Sequence, residues 1–184
     1  MACCKGIAVT SRVKYVQEHH GEAGLGALLE ALPEDRPLLE AHVLPHAWVP
    51  MDVFIRVNVA ADRLFGRGDL KLCQEMGAWA AERTLPTLFK LFFRLGTPMF
   101  VFNKASKLWS AHYDTGTMVA ERHGDGPAHL FIRDFAQPHR AHCLSVLGWA
   151  SKSVALSGAK LARAEEPRCR THGAPECELV VEWR

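Results

Sequence analysis

A chain of 184 residues suits one domain with a full-sized core. Apolar residues make up 48%, charged residues 23%, and the net charge is +2, the balance of an ordinary soluble globular protein without the electrostatic footprint that DNA or RNA binding needs. No apolar stretch is long enough to span a bilayer and no secretory signal opens the chain, so a cytoplasmic address with reduced thiols is expected.

In chain order, residues 5–10 hold a β-prone run, Gly6-Ile-Ala-Val-Thr10, which reads as a strand at a sheet edge or across a dimer. Ser11 reads as the N-cap of a helix to residue 20, broken by Gly21, and residues 22–32 carry Leu25, Leu28 and Leu29 at helical spacing. Residues 44–50 read as a loop, with Trp48 as a packed anchor in preference to a lid residue. Pro50 suits the first position of the next helix, with Asp52 in its positive first turn. Gly66 to Gly68 ends that helix, and Asp69 caps another to about residue 84. Pro86 reads as the start of an apolar helix stopped by Gly96. Thr97 and Pro98 then open a helix over residues 99–113.

Beyond Asp114 the period changes from helical to alternating. Residues 117–122 and 129–135 read as strands joined at Asp125-Gly126, a hairpin signal. Residues 137–156 read as a helix, then 159–168 and 176–184 as two more strands. The expected class is α+β: a helical N-terminal half packed on a four-stranded, mainly antiparallel sheet. No repeat or linker divides residues 1–184, so one ligand-binding domain is expected, with a metal-type subregion over residues 139–184.

Two constellations carry chemistry. Glu166 and Cys169 flank a strand end, Cys177 begins the returning strand, and Cys143 comes from the preceding helix. Three thiolates and a carboxylate folded onto one point suit tetrahedral zinc, and four protein ligands would make the metal structural. His172 is a spare donor in place of Glu166; the competing reading makes Cys143 and Cys177 small buried hydrophobes and Glu166 a solvated strand residue. The second constellation is aromatic: Phe89, Phe92, Phe93, Phe100, Phe102, Trp109, Tyr113 and Phe131, with polar groups from His112, Tyr113 or His123. These residues could line an apolar ligand cavity, though spacing alone favours ordinary core packing. No nucleophile elbow, H-E-x-x-H helix or phosphate-cradling loop is present, so no enzyme is expected.

The segments Cys143-Leu-Ser-Val-Leu-Gly148, Ser157-Gly158-Ala-Lys, Glu166-Pro-Arg-Cys169 and His172-Gly-Ala-Pro-Glu-Cys177 resemble the vinyl-reductase-type domain. That small-molecule-binding domain shares a superfamily with haem–nitric oxide binding domains and with core subunits of the TRAPP tethering complex. In its phenol-sensing members a helix cysteine, a glutamate and two further cysteines hold zinc, and Glu-x2-Cys-x7-Cys matches Cys143, Glu166, Cys169 and Cys177 here. Over most of its length the chain also resembles a myxobacterial family, through Trp48-Val-Pro50, Leu64-Phe-Gly66-x-Gly68-Asp69, Leu108-Trp109 and Tyr113-Asp-x-Gly116. The resemblance implies a cytoplasmic, dimeric sensor that binds a small apolar or aromatic molecule against Phe89, Phe93, Phe102, Trp109, His112, Tyr113 and Phe131, and that signals to a separate protein. Its alternative is a TRAPP-subunit-like dimeric scaffold without a free ligand. Haem–nitric oxide domains carry Tyr-x-Ser-x-Arg, whereas Tyr113-Asp-Thr-Gly-Thr lacks the serine and arginine, so no haem is expected.

Overall fold

β1 (Cys3–Lys5) pairs antiparallel with β2 (Trp48–Pro50), placing Cys4 opposite Val49. The structure, a computed structural model, describes residues 2–41, 43–89 and 97–184, except for the side chains of residues 86–89. α1 (Gly6–Glu30) follows β1 directly, so the β-prone run expected as a strand is helical. Burial outweighs propensity here: Val9, Arg12 and Val16 fall on one buried stripe at helical spacing. The first orphan N–H groups are also satisfied, Gly6 donating to the Ala47 carbonyl at 2.8 Å and Ile7 to that of Pro45 at 3.0 Å. Ser11 is therefore inside the helix and not its cap. Gly21, at φ 66°, does interrupt the run as expected.

α2 (Arg36–Glu40) is a short turn of helix, and α3 (Met51–Phe65) starts after Pro50 with Asp52 in its first turn. Trp48 is not a packed anchor: it is 48% exposed, with the Lys5 ammonium 3.5 Å above its ring. α4 (Lys71–Phe89) opens under Asp62, whose two carboxylate oxygens accept from the Leu70 N–H at 2.9 Å and the Leu72 N–H at 3.1 Å. It runs through Pro86, where a break was expected; a proline removes one N–H bond but its φ suits a helix. The remainder of the expected 86–95 helix, with Phe92 and Phe93, lies outside the described residues. α5 (Pro98–Lys107) is capped by Thr97, whose Oγ1 accepts from the Phe100 N–H at 3.3 Å. A 3₁₀ turn, Trp109–Ala111, replaces the last turn expected of that helix.

The second half carries the sheet. β3 (Thr117–Arg122), β4 (Ala128–Arg133), β5 (Leu161–Arg168) and β6 (Cys177–Trp183) form a four-stranded antiparallel sheet in the order β3-β4-β6-β5. Leu130 lies opposite Leu179, and both point into the core with Ile132 and Val181. α6 (Arg140–Leu156) connects β4 to β5, and its buried positions include Cys143, Leu147, Ala150 and Val154. His139 caps it, Nδ1 accepting from the Ala141 N–H at 3.1 Å. α6 crosses α4 backbone to backbone. A Cβ on Gly148 would lie 1.8 Å from the Gln74 carbonyl oxygen, and one on Gly77 would lie 2.0 Å from that of Ser145. Only glycine permits that approach at either position. The architecture is thus α+β, a helical N-terminal half on a four-stranded antiparallel sheet.

Candidate metal centre and ligand cavity

β5 and β6 bring Cys169 and Cys177 together, and α6 supplies Cys143. The three Sγ atoms lie within 4.8 Å of one another, and Cys169 and Cys177 are 4.0 Å apart. Zn–S bonds of about 2.3 Å in a tetrahedron place sulfurs about 3.8 Å apart, so the trio fits a metal after a small contraction. All three thiols are buried. The β5–β6 register shifts between Glu165 and Arg168, next to Glu166, whose carboxylate is not among the donor atoms that lie within 4.8 Å of one another. Its side chain is 4% exposed; Oε2 accepts from Arg140 Nε at 3.2 Å, while buried Oε1 has no partner among the described residues. Burial, and then the neighbouring Cys169, push its carboxyl up to about 7.

The three thiols act on one another's acidity. The closeness of the three sulfurs pushes the Cys143 thiol up and those of Cys169 and Cys177 down, Cys169 to about 4. Thr171 Oγ1 lies 3.0 Å from Cys169 Sγ, and the Arg170 N–H donates to Cys177 Sγ at 3.4 Å. Hydrogen bonds of this kind stabilise thiolate and orient a ligand. His172, the spare donor, sits exposed on the turn and outside the cluster.

The cavity lies on the other side of α6. It has a volume of about 420 Å³ and is walled by α1, α4, α5, the 3₁₀ turn, β3 and α6. Volumes of this order hold small organic ligands. Of the aromatic and polar residues singled out in the sequence, Trp109, His112 and Tyr113 reach its wall. Phe102 is buried behind it, packed on Trp149 at 6.4 Å and Trp183 at 5.9 Å between ring centroids. Phe131 lies between inward-facing Leu130 and Ile132, stacked on His129 at 6.1 Å, and does not line the cavity. His123 is exposed on the β3–β4 turn. Phe93 and the side chain of Phe89 lie outside the described residues.

The wall residues that the sequence did not point to include the polar group Arg12, Ser11 and Ser145. Arg12 is only 4% exposed, and Nη1 donates to Ser11 Oγ at 2.9 Å, Nη2 to Ser145 Oγ and Nε to Asn58 Oδ1 at 3.3 Å. The missed signal is periodicity: Arg12 falls on the apolar stripe between Val9 and Val16. Behind the wall His142 stacks on Phe135 at 4.7 Å, and its Nε2 is buried without a partner among the described residues. Burial, then the charge of Arg12, push it down to about 3, so it is neutral. The wall also offers an imidazole (His112), a phenol (Tyr113) and a thioether (Met118), side-chain types that ligate haem iron.

No family model matches this chain, and no curated protein matches it. Solved structures do. The chain covers 98% of its own length and 99% of an H-NOX protein from S. oneidensis in the Fe(II)NO ligation state, at a TM-score of 0.76 and 12% identity. An oxygen-binding H-NOX domain related to soluble guanylate cyclases, in its oxygen complex, matches over 98% of this chain and 95% of that one, at 0.68 and 14%. A mutant H-NOX of T. tengcongensis matches over 98% and 97%, at 0.69 and 11%. The expectation of no haem, drawn from a missing Tyr-x-Ser-x-Arg, is corrected by these neighbours: the fold is that of proteins solved with iron-bound nitric oxide and with oxygen. At such identities the likeness establishes the fold, and the fold is that of the H-NOX domains.

Proposed function

We propose that this chain is a non-enzymatic sensor domain that binds a small molecule or cofactor in the cavity between α1, α4, α5 and α6. A structural zinc on Cys143, Glu166, Cys169 and Cys177 would pin the last hairpin to α6. The observation that carries the reading is the cavity of about 420 Å³ itself, set beside a core in which buried side chains pack on one another. The three converging thiols of Cys143, Cys169 and Cys177 support the metal, and the buried Glu166 oxygen without a partner among the described residues would swing in as the fourth donor, which completes a tetrahedron and leaves no open position for catalysis.

Two classes of occupant suit the cavity. One is an apolar or aromatic organic molecule. The other is haem, the iron of which, when bound, supplies a coordination position for a diatomic gas, as in the nitric oxide and oxygen complexes of the structural neighbours. Trp109, Trp149, Val146 and Leu85 exclude water from either occupant, and His112, Tyr113 or Met118 would face the iron.

The test is a titration of untagged protein with hemin, read by the Soret band, and with naphthalene-2-carboxylate, read by quenching of the wall tryptophans. Saturable binding at one site per chain is expected for at least one of them. Ala105→Trp, which fills the cavity from α5, should abolish it while the protein stays folded. No saturable binding of either compound, or binding untouched by Ala105→Trp, overturns the reading.

A further inference from the structure

Arg12 is a buried charge. Among the described residues no carboxylate pairs with it; its three hydrogen-bond partners are two serine hydroxyls and one side-chain amide. Its titratable neighbours include Tyr113, Cys73 and Cys4, which burial pushes up and so keeps neutral, and His142, which burial and Arg12 push down. The acid one turn beyond Asn58 on α3, Asp62, is spent on the backbone N–H groups of Leu70 and Leu72. The guanidinium lies 5.2 Å from the Phe54 ring, which offers a face but no anion.

An isolated buried guanidinium is costly, and breaking or omitting its ion pair leaves that cost uncompensated. A position that only filled space would be served as well by leucine or methionine. Arg12 instead lines the cavity, and Ser11 and Ser145 line it beside Arg12. A guanidinium has five N–H donors in a fixed fork, and three are used among the described residues, so two remain on a side chain that lines the cavity. The rest of the wall is overwhelmingly apolar, with Leu85, Val101, Val146 and Trp149 among it.

We infer that the occupant of this cavity is an apolar molecule carrying a carboxylate, and that Arg12 anchors that carboxylate with Ser11 and Ser145 beside it. The inference rests on the cavity being the binding site, and it names the chemistry that site selects. A planar carboxylate accepts two N–H bonds from one guanidinium, which fixes the ligand's orientation as well as its charge. The carboxylate can belong to a free aromatic or aliphatic acid or to a porphyrin propionate.

The experiment pairs each acid with a neutral counterpart in calorimetric titrations of wild-type protein: naphthalene-2-carboxylate with naphthalene-2-carboxamide, decanoate with decanamide, and hemin with its dimethyl ester. At least one acid should bind roughly tenfold or more tighter than its counterpart, the scale of a charge-assisted hydrogen bond. A preference confined to the first two pairs identifies a free acid; one confined to hemin identifies the propionate. Arg12→Met, which keeps the apolar fill, should erase the preference while the neutral counterpart still binds. Acids and neutral counterparts binding equally to wild type overturn the role of Arg12 and leave the cavity reading intact. Failure of every compound to bind overturns both.

Discussion

Cys143 and Ser145 stand two residues apart on α6 and serve different sites, one in the thiol cluster and the other accepting from Arg12 in the cavity wall. At about 100° per residue they point to nearly opposite sides of the helix. A metal that fixes Cys143 therefore fixes the rotation of Ser145. Zinc-loaded protein should bind naphthalene-2-carboxylate roughly fivefold or more tighter than protein stripped with a chelator, and by reciprocity the acid should tighten zinc binding equally. Calorimetry in both orders checks this; equal affinities with and without zinc would uncouple the two sites.

The thiols divide into two groups with opposite outcomes. Cys169→Ala combined with Cys177→Ala should lose the metal and destabilise the protein in zinc-containing buffer by on the order of 4 kcal/mol or more. Cys73→Ala should keep the metal, since Cys73 is buried away from the cluster with only a long contact of 3.9 Å to the Asn58 carbonyl. Denaturant unfolding in matched zinc concentrations, with elemental analysis of each variant, separates these cases.

The α4–α6 crossing makes a prediction that turns on one methyl group. Gly148→Ala should destabilise by on the order of 1–3 kcal/mol or more, because the new Cβ meets backbone that cannot rotate away. Gly26→Ala, in α1 with nothing within 4 Å of its Cβ position, should stabilise by about 0.5–1 kcal/mol. Thermal melts of the two variants should therefore move in opposite directions.

Asp62 holds two backbone donors with its two oxygens, at 2.9 and 3.1 Å, in a fully buried position. Asp62→Ala orphans both N–H groups and should cost on the order of 2 kcal/mol or more. Asp62→Asn keeps one acceptor and should cost less. Equal losses for the two variants would mean that charge, and not acceptor count, carries the cap.

The sheet was legible because its strands alternate and their turns are marked: β3 spans the expected residues 117–122, and β4, β5 and β6 start or stop within two residues of expectation. The boundaries that failed depend on contacts distant in sequence. α1 starts at Gly6 because the backbone of residues 45–47 accepts its first N–H groups, which no local pattern announces. The spacing of Cys169 and Cys177 around a hairpin, with Cys143 on the helix before it, made the three thiols legible, and the fold brings those three together without Glu166 in the group. Phe102 and Phe131 show the limit of reading a cavity from aromatic content, since one fills the core and the other lies away from the cavity wall. Arg12 shows the reverse: a residue type usually taken as solvated, sitting on an apolar stripe whose position was readable.

Native mass spectrometry of untagged protein, purified with zinc and then mixed with hemin or naphthalene-2-carboxylate, tests the central claim most directly. The expected spectrum shows the chain with one zinc, and a further mass shift for one bound hemin or acid that disappears in Ala105→Trp. A folded chain at its bare mass, taking up neither zinc nor any cavity ligand, would contradict it.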